Sequence, residues 1–371
     1  MFARCFRSWY SLVLAVLMGV ALMTFGCKAI SNKLTHWKML DQTALDDPIK
    51  AVGGDAFVFM PRQNDTPLNR RQLATATPDV LANYYAPIFV QQRINSQALK
   101  YPYPPEYDMI GQARLRYDDH SKLKAYVAGQ PKVYAILKPQ VMIEGHPHMQ
   151  ITYTAWYPAH PRMKAFDTEA ADIDSCVVRV TLDAEHAPLF YETIMACGCF
   201  HKVFVEKHLE DAARQTFGVP EPDKKYCVEK TLKDDIDWEV AGIVEEPRDG
   251  PRRPVVFLKA GEHKVIGLGS AARLRVPTNA KAHAYDMVPY TDLYKVVVDG
   301  DRREAPFFDL GNGGKVYGAE RKKEKLLMSF AGVDNAGQPR ADDQIKMHFD
   351  QSTWGDPSVY GKYLRLPPGT L

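Results

Sequence analysis

The sequence predicts a mainly β (α+β) protein: a β-sandwich with long loops and one or two peripheral helices. Short runs of β-branched and aromatic residues recur between turn residues, which is the pattern of many short strands. The 26 prolines and 24 glycines are spread along the 371 residues and form no linker. Helical spacing is confined to one or two segments, whereas a doubly wound α/β fold needs a helix after nearly every strand. With 46% hydrophobic and 11% aromatic residues the chain has ample apolar surface for a core. No repeat is visible at the periods of solenoids or propellers.

Residues 1–26 read as a secretory signal and are set aside from the fold. Arg4 and Arg7 precede the uncharged run "LVLAVLMGVALMTF", which starts at Leu12. That run is shorter than the roughly 20 residues that span a bilayer comfortably. It ends in "LMTFGC", which resembles the lipobox of bacterial lipoproteins, although Thr24 stands where Leu is usual and Phe25 is bulkier than expected. The resemblance implies lipidation of Cys27, and Lys28 in place of Asp implies the outer membrane, with the body facing the periplasm. An uncleaved signal anchor also places the body outside the cytoplasm.

Residues 27–75 read as a tether and lead-in, polar and irregular, with one strand-like piece, "AFVFM". Residues 76–371 read as a single β-rich globular domain. Its first element is a short helix at Thr77 and Pro78, since proline at the first helical position loses nothing by lacking an N–H. A strand follows near Ile88. "QPKVYAILKPQVMIEG" and "HMQITYTAWYP" predict two strands joined by the turn signal "EGHPH". "DSCVVRVTLDAEHAPLFYETIMA" predicts a hairpin. "KVFVEKHLEDAARQTFG" predicts a helix, with Val203, Val205, Leu209, Ala213 and Phe217 at largely helical spacing and Gly218 and Pro220 as its stop. Strands are also expected in "RPVVFLKAGEHKVIGLG" and "LYKVVVDG".

Several function classes lose support here. A net charge of +2 argues against nucleic acid as a partner. The basic run "ERKKEKLL" from Glu320 is interleaved with acids and reads as a solvated helix face. "GLGSAA" at Gly267 lacks the third glycine of a dinucleotide loop, and "GNGGKVYG" at Gly311 lacks the context of a nucleotide loop. No serine stands in G-x-S-x-G.

Two clusters carry the candidate chemistry. The loop "AWYPAHPRMKAFDTEAADIDSC" strings His160, Asp167, Glu169, Asp172, Asp174 and Cys176 between two strands, with Arg162 and Lys164 as local ion partners. So many carboxylates are costly to bury without a cation or basic side chains. The second cluster, "ACGCFH", sets Cys197, Cys199 and His201 at alternate positions, and alternate positions of an extended segment point the same way. Thiolate and imidazole are the donors zinc and copper prefer. On that reading Cys197, Cys199, His201 and His263 are metal ligands. His160, Glu169 and Asp172 are then catalytic candidates: Glu169 or Asp172 orients a histidine ligand or acts as base on a metal-bound water in a hydrolase, and His160 completes the shell or serves as base to a cysteine nucleophile. Other outcomes stay open for these cysteines. Cys176, Cys197, Cys199 and Cys227 are an even set that suits two disulfides in an oxidising compartment. A bridge between Cys197 and Cys199 is strained and redox-labile. Buried cysteines are also often inert.

Read in order, "YYAPIFVQ", "YTAWYPAH", "DSCVVRVTLD", "RPVVFLKAGEHKVIG" and "STWGDP" resemble landmarks of the vacuolar-protein-sorting-62-like family and the related necrosis-inducing-protein cytolysins. The resemblance implies a β-sandwich with a divalent cation held by a His- and Asp-rich box. Asp174 aligns with the box aspartate and His263 with the histidine of a later turn. Cys176 replaces the box glutamate, and Ile173 and Ala171 replace histidines.

The expected function is thus a membrane-tethered, extracytoplasmic lipoprotein with a metal-binding or redox-active Cys/His site, in one version a metal-dependent hydrolase. The competing class is a non-catalytic envelope lipoprotein with bridged cysteines. It would bind a protein, glycan or lipid through aromatic loops such as "YPYPPEY" at Tyr101.

Overall fold

The computed structural model describes residues 52–371, apart from residues 54, 64–67, 232–239, 246–252, 273–276, 278, 331–335 and 348–352. The signal segment, Cys27 and much of the 27–75 lead-in lie outside the described residues. Among the described residues no helix is long and apolar enough to cross a membrane.

The strands that matter are β1 (Ala56–Pro61), β2 (Ile88–Gln92), β3 (Gln112–Tyr117), β4 (Leu123–Ala128), β5 (Lys132–Ile143), β6 (His146–Tyr157) and β7 (Asp174–Leu182). They continue with β8 (Pro188–Ile194), β9 (Lys202–Glu206), β10 (Val240–Val244), β11 (Pro254–Leu258), β12 (Val265–Ser270) and β13 (Lys281–Pro289). Strands β3 and β4 form a separate hairpin. The other eleven make one sheet in the order β10-β9-β8-β7-β6-β5-β13-β1-β2-β11-β12, and its two edge strands touch. The fold is therefore a nearly closed mixed barrel and not the expected β-sandwich. The difference lies in pairing, not in strand content. Strands β1 and β13, β2 and β11, β5 and β13, and β9 and β10 pair in parallel. These pairs join strands across crossovers, and they roll a single sheet round on itself where a sandwich would stack two.

Alternation builds the barrel wall. Ile151, Tyr153, Ala155 and Tyr157 of β6 and Cys176, Val178, Val180 and Leu182 of β7 enter one cluster with Phe59, Phe89, Leu258 and Tyr285. Their neighbours Trp156 and Val177 enter a second cluster on the other face, beneath the β3–β4 hairpin and the C-terminal segments. Both faces of this wall are buried.

Local signals account for the hairpins. β5 and β6 are joined through Glu144 and Gly145, both at positive φ (48° and 86°), the two-residue turn whose twist matches the strands. In the β7–β8 turn, Asp183 accepts from the backbone N–H of Glu185 and Ala187. Three elements differ from expectation. "LYKVVVDG" holds only the two-residue strand Val296–Val297, after a 3-10 turn at Tyr290–Tyr294. "AFVFM" is β1, between β13 and β2, so the barrel begins inside the stretch read as lead-in. The first five residues of the predicted helix form β9, leaving α3 at Lys207–Phe217 after α1 (Arg70–Ala74) and α2 (Pro78–Tyr84). Val203 and Val205 face one side of β9 and Phe204 the other, so a period of two wins where the β-branched residues lie. Two further helices, α4 (Lys322–Phe330) and α5 (Ser358–Tyr363), follow near the C-terminus.

The register puts the ends of β2, β6, β8 and β11 and the starts of β7, β9 and β12 at one mouth of the barrel. Both sequence-predicted clusters, and the His263 turn, are attached to that mouth.

Candidate functional site

Asp174, the first residue of β7, is the hub of the mouth. Its Oδ2 accepts from His160 Nδ1 at 2.9 Å and His263 Nδ1 at 3.0 Å, and its Oδ1 accepts from Arg321 Nη2 at 2.7 Å and the Ser175 N–H at 2.9 Å. All of these side chains are buried. Burial alone would raise the Asp174 carboxyl, but Arg321, His160 and His263 hold it well below the usual carboxylate range.

His263 sits in the β11–β12 turn at φ 50°, stacked on Tyr157 with ring centroids 3.9 Å apart. Its second nitrogen, Nε2, meets the Tyr107 carbonyl at 3.0 Å. Both ring nitrogens therefore face acceptors, which requires both to carry protons. Burial pulls the other way, but the carboxylates of Asp108 and Asp174 prevail and push the pKa up to about 9. Asp108 is itself fixed by the Gly261 N–H at 2.6 Å and the Tyr103 hydroxyl at 3.0 Å.

The acidic loop braces itself. His160 and Ala171 exchange backbone hydrogen bonds, and Asp167 accepts from the N–H groups of Met163 and Glu169. Glu169 pairs with Lys264 at 3.2 Å and lies 4.0 Å from His160 Nε2. Asp172 points away, in a solvent-facing pair with Lys124 at 2.7 Å. Arg162 bonds the carbonyls of Lys164 and Ala165, so Lys264 and Arg321 supply the counter-charge that Arg162 and Lys164 were expected to give.

The cysteine segment is a tight turn and not an extended run. Gly198 N–H donates to the Met195 carbonyl and Met195 N–H to the Cys199 carbonyl, with Gly198 at φ 87° and Phe200 at φ 58°. The turn brings the Cys197 and Cys199 sulfurs to 2.8 Å, the Cys197 thiol directed at Cys199. It also breaks the alternation that would aim His201 with them: His201 Nε2 bonds Glu192 at 3.1 Å, in a separate buried network with Arg179 and Tyr360. Arg321 links the thiols to the hub, since its Nη1 lies 3.6 Å from Cys197 Sγ and 3.5 Å from Glu324 Oε2. The Cys199 thiol donates to Glu324 Oε1 at 3.6 Å. Burial and the neighbouring Cys199 push the Cys197 thiol well above its ordinary range, and Arg321 opposes this.

The structure thus joins Cys197, Cys199, His160, Glu169 and His263 at one mouth and sets His201 and Asp172 apart. Among the described residues no group of three or more His, Cys, Asp or Glu side chains is arranged to hold a metal. All four cysteines of the expected disulfide set are thiols in the structure. Cys176 faces the barrel interior, and Cys227 faces the Gly218 carbonyl behind α3. Asp108, Arg321 and Glu324 were not anticipated. Asp108 ends a Tyr/Pro loop read as a binding surface, and the other two lie in the lysine-rich run read as solvated. The i,i+3 spacing of Arg321 and Glu324 was their one sequence signal. Compared with family models, curated protein sequences and solved structures, the chain matches none.

Proposed function

We propose that this chain is a membrane-tethered, extracytoplasmic protein whose Cys197–Gly198–Cys199 turn is a thiol–disulfide exchange site. The observation that supports it is the pair of sulfurs at 2.8 Å across one glycine, set between the Arg321 guanidinium and the Glu324 carboxylate. A dithiol needs a proton acceptor and a stabiliser for the thiolate to exchange at neutral pH. Glu324 suits the first role at Cys199, and Arg321 opposes the burial that raises the Cys197 thiol.

Cys199 gives its proton to Glu324, and the thiolate attacks a disulfide of a partner protein or small molecule, forming a mixed disulfide and releasing one thiolate, which takes up a proton. Cys197 then loses its proton, attacks Cys199 Sγ and expels the second thiol. Two S–H bonds become one ring disulfide, and the partner is reduced by two electrons. The reverse direction is the favoured one. A ring closed across a single residue is strained, and in the thiol form Cys199 donates to Glu324, so the oxidised turn acts as a disulfide donor. Cys197 and Cys199 are only 3% and 4% exposed, so a partner reaches them only when the side chains packed over them move.

Single-cysteine variants test this. After incubation with oxidised glutathione, alkylation and peptide mapping, the Cys197→Ser variant is expected to carry glutathione on Cys199, and wild type to lose both thiols without retaining glutathione. Glutathione kept on wild-type Cys197 or Cys199, or reactivity no greater than that of Cys176, rules the exchange site out.

A further inference from the structure

Helix α4 is two-sided. Arg321, just before it, and Glu324 face the thiols, while Lys322, Lys323, Leu326 and Leu327 are exposed. Leu326 and Leu327 are 61% and 46% exposed; Phe166 of the acidic loop is 62% exposed, and Lys323, one helical turn before the leucines, has its Nζ 5.6 Å from the Phe166 ring centroid. The loop is not loose. Asp167 accepts from Met163 and Glu169, and Arg162 holds the Lys164 and Ala165 carbonyls, so Phe166 is presented outward by a braced turn.

Among the described residues, the exposed charges around this apolar centre that carry no ion pair are cationic. Arg162, Lys164, Lys322 and Lys323 are exposed. The nearby acids are turned inward or paired: Asp167 and Glu324 are buried, Glu320 pairs with Lys325 at 2.6 Å, and Asp172 pairs with Lys124. Apolar side chains ringed by cations fit the boundary between headgroups and acyl chains of an anionic bilayer, where the rings and leucines enter and the lysines stay with phosphates. We infer that α4 and the Phe166 loop form a docking face for an anionic phospholipid surface. This rests on the surface alone and stands apart from the exchange chemistry.

The test uses the full chain in proteoliposomes of phosphatidylcholine with or without phosphatidylglycerol. The photoreactive residue benzoylphenylalanine replaces Phe166, Leu326 or, as an exposed reference, Val219. Lipid adducts are expected at 166 and 326 well above those at 219, and only with phosphatidylglycerol. Lys322→Glu with Lys323→Glu, both at the surface, is expected to lower them roughly tenfold. Equal labelling at all three positions, labelling indifferent to phosphatidylglycerol, or adducts to protein in place of lipid overturns the inference.

Discussion

Asp174→Asn is expected to cost about 3–5 kcal/mol of folding stability, read by urea unfolding, because it removes one partner of a buried ion cluster and leaves the others in place. The side chain keeps its shape, so the loss reports charge and not volume. Arg321 and a protonated His263 both lose their shared carboxylate, and neither reaches water. Asp172 supplies the contrast two residues earlier. Its pair with Lys124 is solvent-facing, and Asp172→Asn is expected to have a small fraction of that effect. Equal losses from the two variants would show that Asp174 is not the hub.

The second large effect is on pH dependence. The folded-state pKa of His263, about 9, lies above its ordinary value of 6.5. A raised histidine pKa means that the stabilisation is fully present below about pH 6.5 and is lost as pH rises through about 9. The shift corresponds to about 3 kcal/mol as an order of magnitude. Asp108 and Asp174 face the ring as acceptors and Tyr157 stacks on it. Arg321 shares Asp174 with it, as does His160. The buried thiols Cys176 and Cys197 also favour the folded state less at high pH, because the unfolded chain ionises them first. The difference between wild type and His263→Gln isolates the histidine: their melting temperatures are expected to converge between pH 7 and pH 10. Parallel curves would remove the protonated imidazole from the account.

How much of this was legible in the sequence depends on how local each signal was. The β5–β6 and β7–β8 hairpins were readable because their partners are adjacent and their turns carry Glu-Gly and Asp residues with a physical role. The barrel was not, because β1 pairs with β13 and β2 with β11, and parallel pairing over such distances leaves no mark in either strand. Helix α3 was read too long because Val203 and Val205 satisfy both a helical and an alternating pattern. His160 and Asp174 stood out as members of the acidic loop, and His263 as the histidine of a strand-ending turn. Arg321 did not, since one arginine in "ERKKEKLL" reads like its lysine neighbours until the fold turns it inward. The alternation of Cys197, Cys199 and His201 suggested convergence, and Gly198 at φ 87° with Phe200 at φ 58° undoes it.

The most direct measurement on the exchange site is a redox titration of the full chain in glutathione buffers, with thiols alkylated and the peptide spanning residues 196–201 weighed at each potential. Cys197 and Cys199 are expected to oxidise together, as one two-electron step losing two hydrogens, with a midpoint above about −200 mV, in the range of disulfide donors. A midpoint below about −300 mV, the range of structural disulfides, would contradict it, as would thiols that stay reduced at every potential.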